Sequence, residues 1–240
     1  MPGFDGTMDV YWLEQTASDV PAEDDWLSAS EVVRLNGFRF TKRRADWRLG
    51  RWTAKRAVAV CLNLPVVRHA LADIEVRPAA SGAPEVFLAN TPAHFSISLS
   101  HREGTAVCAV ALCGAALGCD LEIIEQHSDA FVADYFTIAE QKLVTSAPAS
   151  DRPRLVSLLW SAKESTLKAL HAGLRLDTRS VIVSPIVDHD PFAADTWNPL
   201  HVSSANGQVF RGWWRRTDYL LRTVVAAPPP TPPIPLEIAA

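Results

Sequence analysis

The run Trp160–Lys168 (Trp-Ser-Ala-Lys-Glu-Ser-Thr-Leu-Lys) constrains this chain more than any other stretch. No glycine or proline interrupts the sequence from Leu155 to Ala172, and Ala, Lys, Glu and Leu all favour helix, so one continuous helix is predicted there. Residues four apart share a helical face, which puts Trp160, Glu164 and Lys168 on one stripe. Upstream, Gly118-Cys119-Asp120-Leu121-Glu122 lies in a β-type run. Alternation along a strand sends Asp120 and Glu122 to one face and Leu121 to the other. Two carboxylates from a strand and one from a helix suit a hard divalent cation that keeps open positions for phosphate oxygens.

A second helix is predicted from Thr41 through Trp47, Leu49, Trp52 and Val58. Arg44, Arg48, Arg51 and Lys55 fall on one narrow stripe of it. A solvated basic face is the ordinary meaning of such a stripe. Within the helix only Asp46 lies nearby, and it sits beside the stripe, so the four cations are expected to await a ligand with several phosphates. Trp52-Thr53-Ala54-Lys55 also echoes Trp160-Ser161-Ala162-Lys163. Two similar halves about a pseudo-twofold axis are expected, with a cleft between the basic and the acidic helix.

The remaining elements are short. Strands are expected at Met8–Leu13, Leu71–Arg77, Glu85–Leu88, Phe95–Leu99, Thr105–Leu112, Ala116–Ile124, Ser180–Val187, Gln208–Arg216 and Tyr219–Ala226. Ser30 is read as a helix cap, Ser100–Gly104 as a loop, and Asp188–Pro199 as irregular. Thr105–Leu112 and Ala116–Ile124 are read as a hairpin turning at Cys113-Gly114. Asp129–Lys142 is read as helical. The Pro-rich stretch Ala227–Ala240 is expected to be an extended, weakly ordered tail or spacer.

The bulk properties exclude several classes. The chain has 240 residues, 48% of them hydrophobic, so it can bury a large core. A net charge of -4 argues against a nucleic-acid or anionic-membrane binder. Trp213-Trp214-Arg215-Arg216 is read as an alternating strand with a Trp in the core, not as a base-stacking surface. Cys61, Cys108, Cys113 and Cys119 form no Cys-x-x-Cys pair and read as reduced thiols of a cytoplasmic protein. A zinc site built on the last three with His101 matches no common spacing. No signal peptide and no membrane-spanning segment is expected. Taken singly, each site residue has a plain meaning: Asp120 capping a turn or pairing Lys163, Glu164 and Lys168 as a surface helical pair, Trp160 in the core.

In order along the chain, Phe95–His101 with Gly104, Gly118–Glu122 and Trp160–Lys168 resemble the three motifs of the 4′-phosphopantetheinyl transferases. The chain is most similar to their two-lobed, surfactin-synthetase-activating type. Leu49-Gly50-Arg51 resembles the first-lobe helix of that type, and Tyr135-Phe136 with Glu140 its aromatic segment. The resemblance covers roughly Phe40 to Gly173. It implies an α/β (α+β) fold of two similar lobes, each a small antiparallel sheet on helices: an N-terminal lobe at 1–115, a C-terminal lobe at 116–226 and a tail at 227–240.

The implied reaction moves the 4′-phosphopantetheine arm of coenzyme A to a serine of an apo acyl or peptidyl carrier protein, in a monomeric enzyme using Mg²⁺ or Mn²⁺. The resemblance places Asp120, Glu122 and Glu164 on the metal, Glu164 as base, and Lys168 on the leaving phosphate. Lys163 and Arg51 would hold coenzyme A phosphates, Ser100 and His101 a phosphate at the ribose end, with Arg44 and Arg77 as further contacts. Relatives often carry Gly-Lys-Pro where this chain has Gly82-Ala83-Pro84, so Arg77 or Arg102 is expected to replace that lysine. The carrier is expected to dock on Asp129–Lys142. Two other readings keep the same residues: a coenzyme A-binding module without catalysis, and a Mg²⁺-dependent pyrophosphate hydrolase.

Overall fold

A computed structural model describes residues 6–185 and 195–238. The chain forms two compact units, Asp9–Ala115 with Ile234–Ala240, and Met1–Met8 with Ala116–Pro233. In the first unit, β1 (Tyr11–Thr16) is followed by α1 (Ala29–Asn36), α2 (Thr41–Cys61) and the short α3 (Arg68–Leu71). Ser28, not Ser30, caps α1: its Oγ accepts from Glu31 N while the Glu31 carboxylate accepts from Ser28 N. The strands β2 (Ile74–Pro78), β3 (Pro84–Leu88) and β4 (Thr91–Pro92) make a small sheet, and β5 (Ser96–Arg102) and β6 (Thr105–Ala111) a hairpin. The predicted loop at Ser100–Gly104 is therefore mostly strand. Only Glu103 and Gly104 turn, both at positive φ (45° and 72°), as a two-residue hairpin requires. Trp26, Leu35, Trp52, Val58 and Leu71 are buried in a common core, with Trp26 and Trp52 packed edge to face at 5.1 Å.

The second unit begins with β7 (Ala116–Ile123), then α4 (Asp129–Tyr135), α5 (Ile138–Ser146) and α6 (Arg152–Ala169). It ends with β8 (Val181–Pro185), β9 (Asn198–Ser204), β10 (Val209–Thr217) and β11 (Leu220–Ala227). The five strands pair in the order β7-β11-β10-β9-β8. Helix α6 lies against β7 at a distance only glycine allows: a Cβ on Gly118 would stand 1.8 Å from the Ser165 carbonyl oxygen. Trp214 is in this core, as the alternation of β10 predicted, and Trp213 donates to the Pro230 carbonyl.

Two expectations fail here. The apolar runs now seen as β6 and β7 are not a hairpin: β6 pairs β1 and β5, whereas β7 pairs β11. Both strands are apolar because each is a well-covered member of its own sheet, and Cys113–Gly114 is the connection between units. Nor is Ala227–Ala240 weakly ordered over its described part. Its strand β12 (Ile234–Pro235) runs parallel to β1, completing a sheet in the order β12-β1-β6-β5, and Leu236 and Ile238 pack on the first core. Proline is tolerated at such a sheet edge because it needs no ladder donor there.

The echo between Trp52–Lys55 and Trp160–Lys163 has a physical counterpart. Lys55 is fully buried in α2 and ion-paired to Glu31, the capping-box glutamate of α1, whose other oxygen accepts from Val76 N on β2. Lys163 is fully buried in α6 and paired at 2.9 Å to Glu140, the capping-box glutamate of α5, whose other oxygen accepts from Val183 N on β8. Each ammonium also donates to backbone carbonyls, Trp26 in one unit and Thr178 and Val181 in the other. Burial pushes both lysine pKa values down, and the partner glutamates oppose that.

A single charge left behind in such a place is costly. Lys163→Met is expected to lower unfolding free energy by about 3–5 kcal/mol, because Glu140 is then buried unpaired. Adding Glu140→Gln should restore part of the loss, since Gln removes the charge and its one carbonyl oxygen keeps one of the two backbone bonds, to Thr137 N or to Val183 N. Urea unfolding of the two variants checks this; a double variant no more stable than the single one contradicts it.

Candidate active site

The strand–helix pair β7/α6 brings the acidic residues together. Gly118, Asp120 and Glu122 alternate with Cys119 and Leu121 and share the β7 face that meets α6. Asp120 is buried, with one oxygen 2.8 Å from Lys168 Nζ and the other accepting from Ser161 Oγ at 2.9 Å. Lys168 also donates to the Cys119 carbonyl at 3.0 Å. Glu122 accepts from Trp160 Nε1 at 3.1 Å. Trp160 is thus half-buried and a hydrogen-bond donor, packed by Phe131 and Tyr135 at 5.1 Å each, and not a plain core residue. Asp120 pairs Lys168, not Lys163.

Glu164 is set apart electrostatically. Burial raises its carboxyl pKa above the ordinary value, the Asp120 charge raises it further, and Lys168 works against both. For Lys168 itself, burial works against the charge, but Asp120 and then Glu164 outweigh it and hold its pKa above that of a free lysine. Two carboxylates whose charges repel, with one ammonium that attracts both, form a set of hard oxygen donors. Among the described residues no group of three or more His, Cys, Asp or Glu side chains is gathered as a finished cation site. The donors still suit Mg²⁺, which takes one or two protein carboxylates and fills the rest with water and substrate oxygens.

In the first unit, a cavity of about 480 Å³ is lined by Arg34, Phe38, Lys42, Arg43, Trp47 and His101, among others. His101 lies on β5 on the same face as Ile97 and Leu99, and its ring is 4.0 Å from the point where a Gly50 Cβ would be. The chain offers cations and aromatic faces here, the groups that bind phosphate and a flat base. Arg34, Lys42 and Arg43 are absent from the residues expected from sequence. Their signal was the run Phe38-Arg39-Phe40 with Lys42-Arg43, aromatics interleaved with cations just before α2.

The basic stripe of α2 is not left waiting for a ligand. Asp24 takes Arg48 at 2.8 Å and Arg44 at 3.6 Å, and Glu31 takes Lys55, all from the segment before the helix. Arg48 also donates to the carbonyls of Pro21, Ala22 and Glu23. Helical spacing alone did not show acids arriving from another element. Arg51 differs: its guanidinium lies over Trp47 at 5.1 Å, its Nε has no hydrogen-bond partner, and burial lowers its pKa to about 10.

Three other expected contacts are placed differently. Lys163 cannot present its ammonium to a phosphate, being fully buried against Glu140. Arg77 is spoken for by Glu75 at 2.5 Å and Asn90 at 2.7 Å. Ser100 is on the strand face opposite His101. Cys108 and Cys119 are buried and Cys113 is exposed, and among the described residues no group of three or more His, Cys, Asp or Glu side chains is gathered around them.

An antiparallel sheet crossed by one long helix, with a carboxylate pair and a lysine at their contact, defines a mixed α/β protein suited to phosphoryl chemistry. Residues 116–223 match the family model described as the 4′-phosphopantetheinyl transferase superfamily. Over that range the chain is similar to this superfamily. Among solved structures, a Bacillus anthracis holo-(acyl-carrier-protein) synthase in complex with CoA (3′,5′-ADP) is similar, with 20% identity and a TM-score of 0.36. That match covers 43% of this chain and 94% of that one. The Thermotoga maritima holo-[acyl-carrier-protein] synthase is similar at 19% identity and a TM-score of 0.34, covering 55% of this chain and 76% of that one. No curated protein matches the chain significantly in sequence. No helix among the described residues is long and apolar enough to cross a membrane.

Because folding raises the Glu164 pKa, the fold carries no penalty from it at a pH low enough to protonate it in both states. The penalty is complete once the pH exceeds the raised value, so stability falls as pH rises through that window. Glu164→Gln is therefore expected to gain a few tenths of a kcal/mol in metal-free protein above that window, about 1 °C in Tm, and nothing below it. Denaturation across pH measures this, and an equal change at both ends would remove the like-charge account.

Proposed function

We propose that the protein transfers the 4′-phosphopantetheine arm of coenzyme A to a serine hydroxyl of an apo acyl or peptidyl carrier protein, releasing adenosine 3′,5′-bisphosphate. The observation that carries this reading is the Asp120–Lys168 pair beside a Glu164 of raised pKa, inside the segment that matches the superfamily. Asp120, Glu122 and Glu164 are the residues from which Mg²⁺ (or Mn²⁺) would take its one or two protein carboxylates, with Ser161 and Trp160 orienting the first two. When bound, the ion neutralises charge on the pyrophosphate. Lys168 supplies a fixed positive charge for the departing phosphate. Glu164, its affinity for a proton raised, is fitted to accept one from the carrier serine. The protein's own task is mainly positioning and charge compensation, as phosphoryl transfer demands.

For the nucleotide we assign His101 and Arg51, and add Arg34, Lys42 and Arg43 from the cavity wall. Arg44, whose ion pair with Asp24 is long and partly exposed, is a lesser contact. The carrier surface is assigned to α4 and α5. There Ile138 is 67%, Leu143 42% and Tyr135, the last residue of α4, 38% exposed. Carriers of fatty-acid, polyketide or peptide synthetases all fit this description, those of secondary metabolism best by the two-lobed likeness, and a monomer in the cytoplasm is the working assembly.

Intact-mass measurement of an apo carrier mixed with coenzyme A, Mg²⁺ and enzyme should show the gain of one arm, abolished by chelation and by Glu164→Gln. Coenzyme A bound without turnover would favour a binding module; its cleavage without carrier modification would favour a hydrolase. Wild-type turnover by Glu164→Gln would exclude that residue as base.

Arg51→Ala should raise KM for coenzyme A more than it lowers kcat. Steady-state kinetics decide, and an unchanged KM removes Arg51 from the phosphate site.

A further inference from the structure

The duplicated lysine–glutamate device aligns the two long helices. With Lys55 laid on Lys163, Arg56 falls on Glu164 and Val60 on Lys168. The strand beside α2 is β1, whose Leu13 packs in the first core. On the helix the acid has become an arginine and the lysine a valine. This surface is not featureless. It holds a cavity of about 350 Å³ lined by Leu13, Glu14, Gln15, Asp19 and Arg56, with Leu236 and Ile238 of the C-terminal strap alongside. The volume is at the small end of ligand sites.

Two of its groups are uncommitted. Gln15 is only 5% exposed, yet its Oε1 has no hydrogen-bond partner among the described residues. Arg56 makes no ion pair among them; its Nε is likewise unpartnered, and its guanidinium lies over Trp52 at 5.2 Å. Asp19 is the acid that bears on Arg56, but its carboxylate accepts from Thr16 N at 2.7 Å and Thr16 Oγ1 at 3.0 Å. Burial accordingly lowers the Arg56 pKa, with Asp19 opposing. A half-buried cation and a buried amide oxygen, both unsatisfied, call for complementary groups, because each otherwise bears its desolvation cost.

We propose that the first unit carries a second ligand site, at Gln15 and Arg56, which takes a compact oxyanion with an N–H or O–H beside the charge. The Arg56 fork receives the oxyanion and the Gln15 amide the donor. Hydrogen phosphate and an acylamino carboxylate share this chemistry, the first being the phosphoester source and the second a peptide-like one. The site is independent of the transfer reaction assigned above and needs no metal.

The full chain is titrated with sodium phosphate and, separately, with N-acetylglycine at constant ionic strength, following amide and guanidinium signals by NMR. Saturable shifts at Leu13–Asp19 and Arg56 with at least one probe are expected, and the preferred probe identifies the source. Arg56→Met should weaken binding about tenfold or more, the loss of a charge-assisted hydrogen bond. Gln15→Leu should weaken N-acetylglycine more than phosphate and raise stability. Should Arg56→Met not fold, Arg56→Lys, which keeps the charge and loses the fork, is expected to weaken binding several-fold. Absence of saturable shifts with both probes, or equal affinity in wild type and the Arg56 variant, overturns the site.

Discussion

A buried ammonium held by a capping-box glutamate is the contact around which each unit is arranged. Lys55 with Glu31 and Lys163 with Glu140 each tie three elements together: the long helix that supplies the lysine, the short helix whose N-terminus the glutamate closes, and the strand whose N–H meets the other carboxylate oxygen. Such a pair adds little net stability compared with apolar packing, since both charges leave water. Its effect is to specify. Few other arrangements satisfy both charges, so helix, cap and strand are held in one register. In the second unit that register fixes which α6 residues meet β7, and hence where Glu164 and Lys168 stand.

The acidic site then follows from two further features. Gly118 lets the α6 backbone touch the strand, closer than any side chain would allow. That closeness puts Asp120 between Ser161 and Lys168 and within the electrostatic reach of Glu164. The arrangement is tense by construction: Glu164 is driven toward its neutral form by burial and by Asp120, and a divalent cation or a proton relieves it. A site that gains from receiving positive charge is well matched to a reaction in which pyrophosphate oxygens need neutralising. The first unit has the same scaffold without this tension, which is why the two halves differ in chemistry while sharing a construction.

Much of this was legible in the residues. The helix carrying Trp160, Glu164 and Lys168, the strand face shared by Asp120 and Glu122, and the kinship of Trp52–Lys55 with Trp160–Lys163 all rest on local periodicity, which backbone geometry enforces. What misled was partnership across elements. The stripe on α2 looked unneutralised because Asp24 and Glu31 come from outside the helix, and Lys163 looked available because nothing local reveals that Glu140 buries against it. The strands β6 and β7 looked like a hairpin because closeness in sequence is a good guide to pairing, yet each was claimed by a different sheet. The cations that line the His101 cavity were missed because they occupy two helix ends, where no period applies.

By itself the sequence determined element types, the strand face and helix stripe of the acidic residues, and the family that 116–223 resembles, since these depend on short-range spacing and residue chemistry. Only the tertiary structure decided which charges are spent on each other and which remain for a ligand. Ion pairing acts through space over a few ångströms, and residues that meet at that range here are tens of positions apart in the chain.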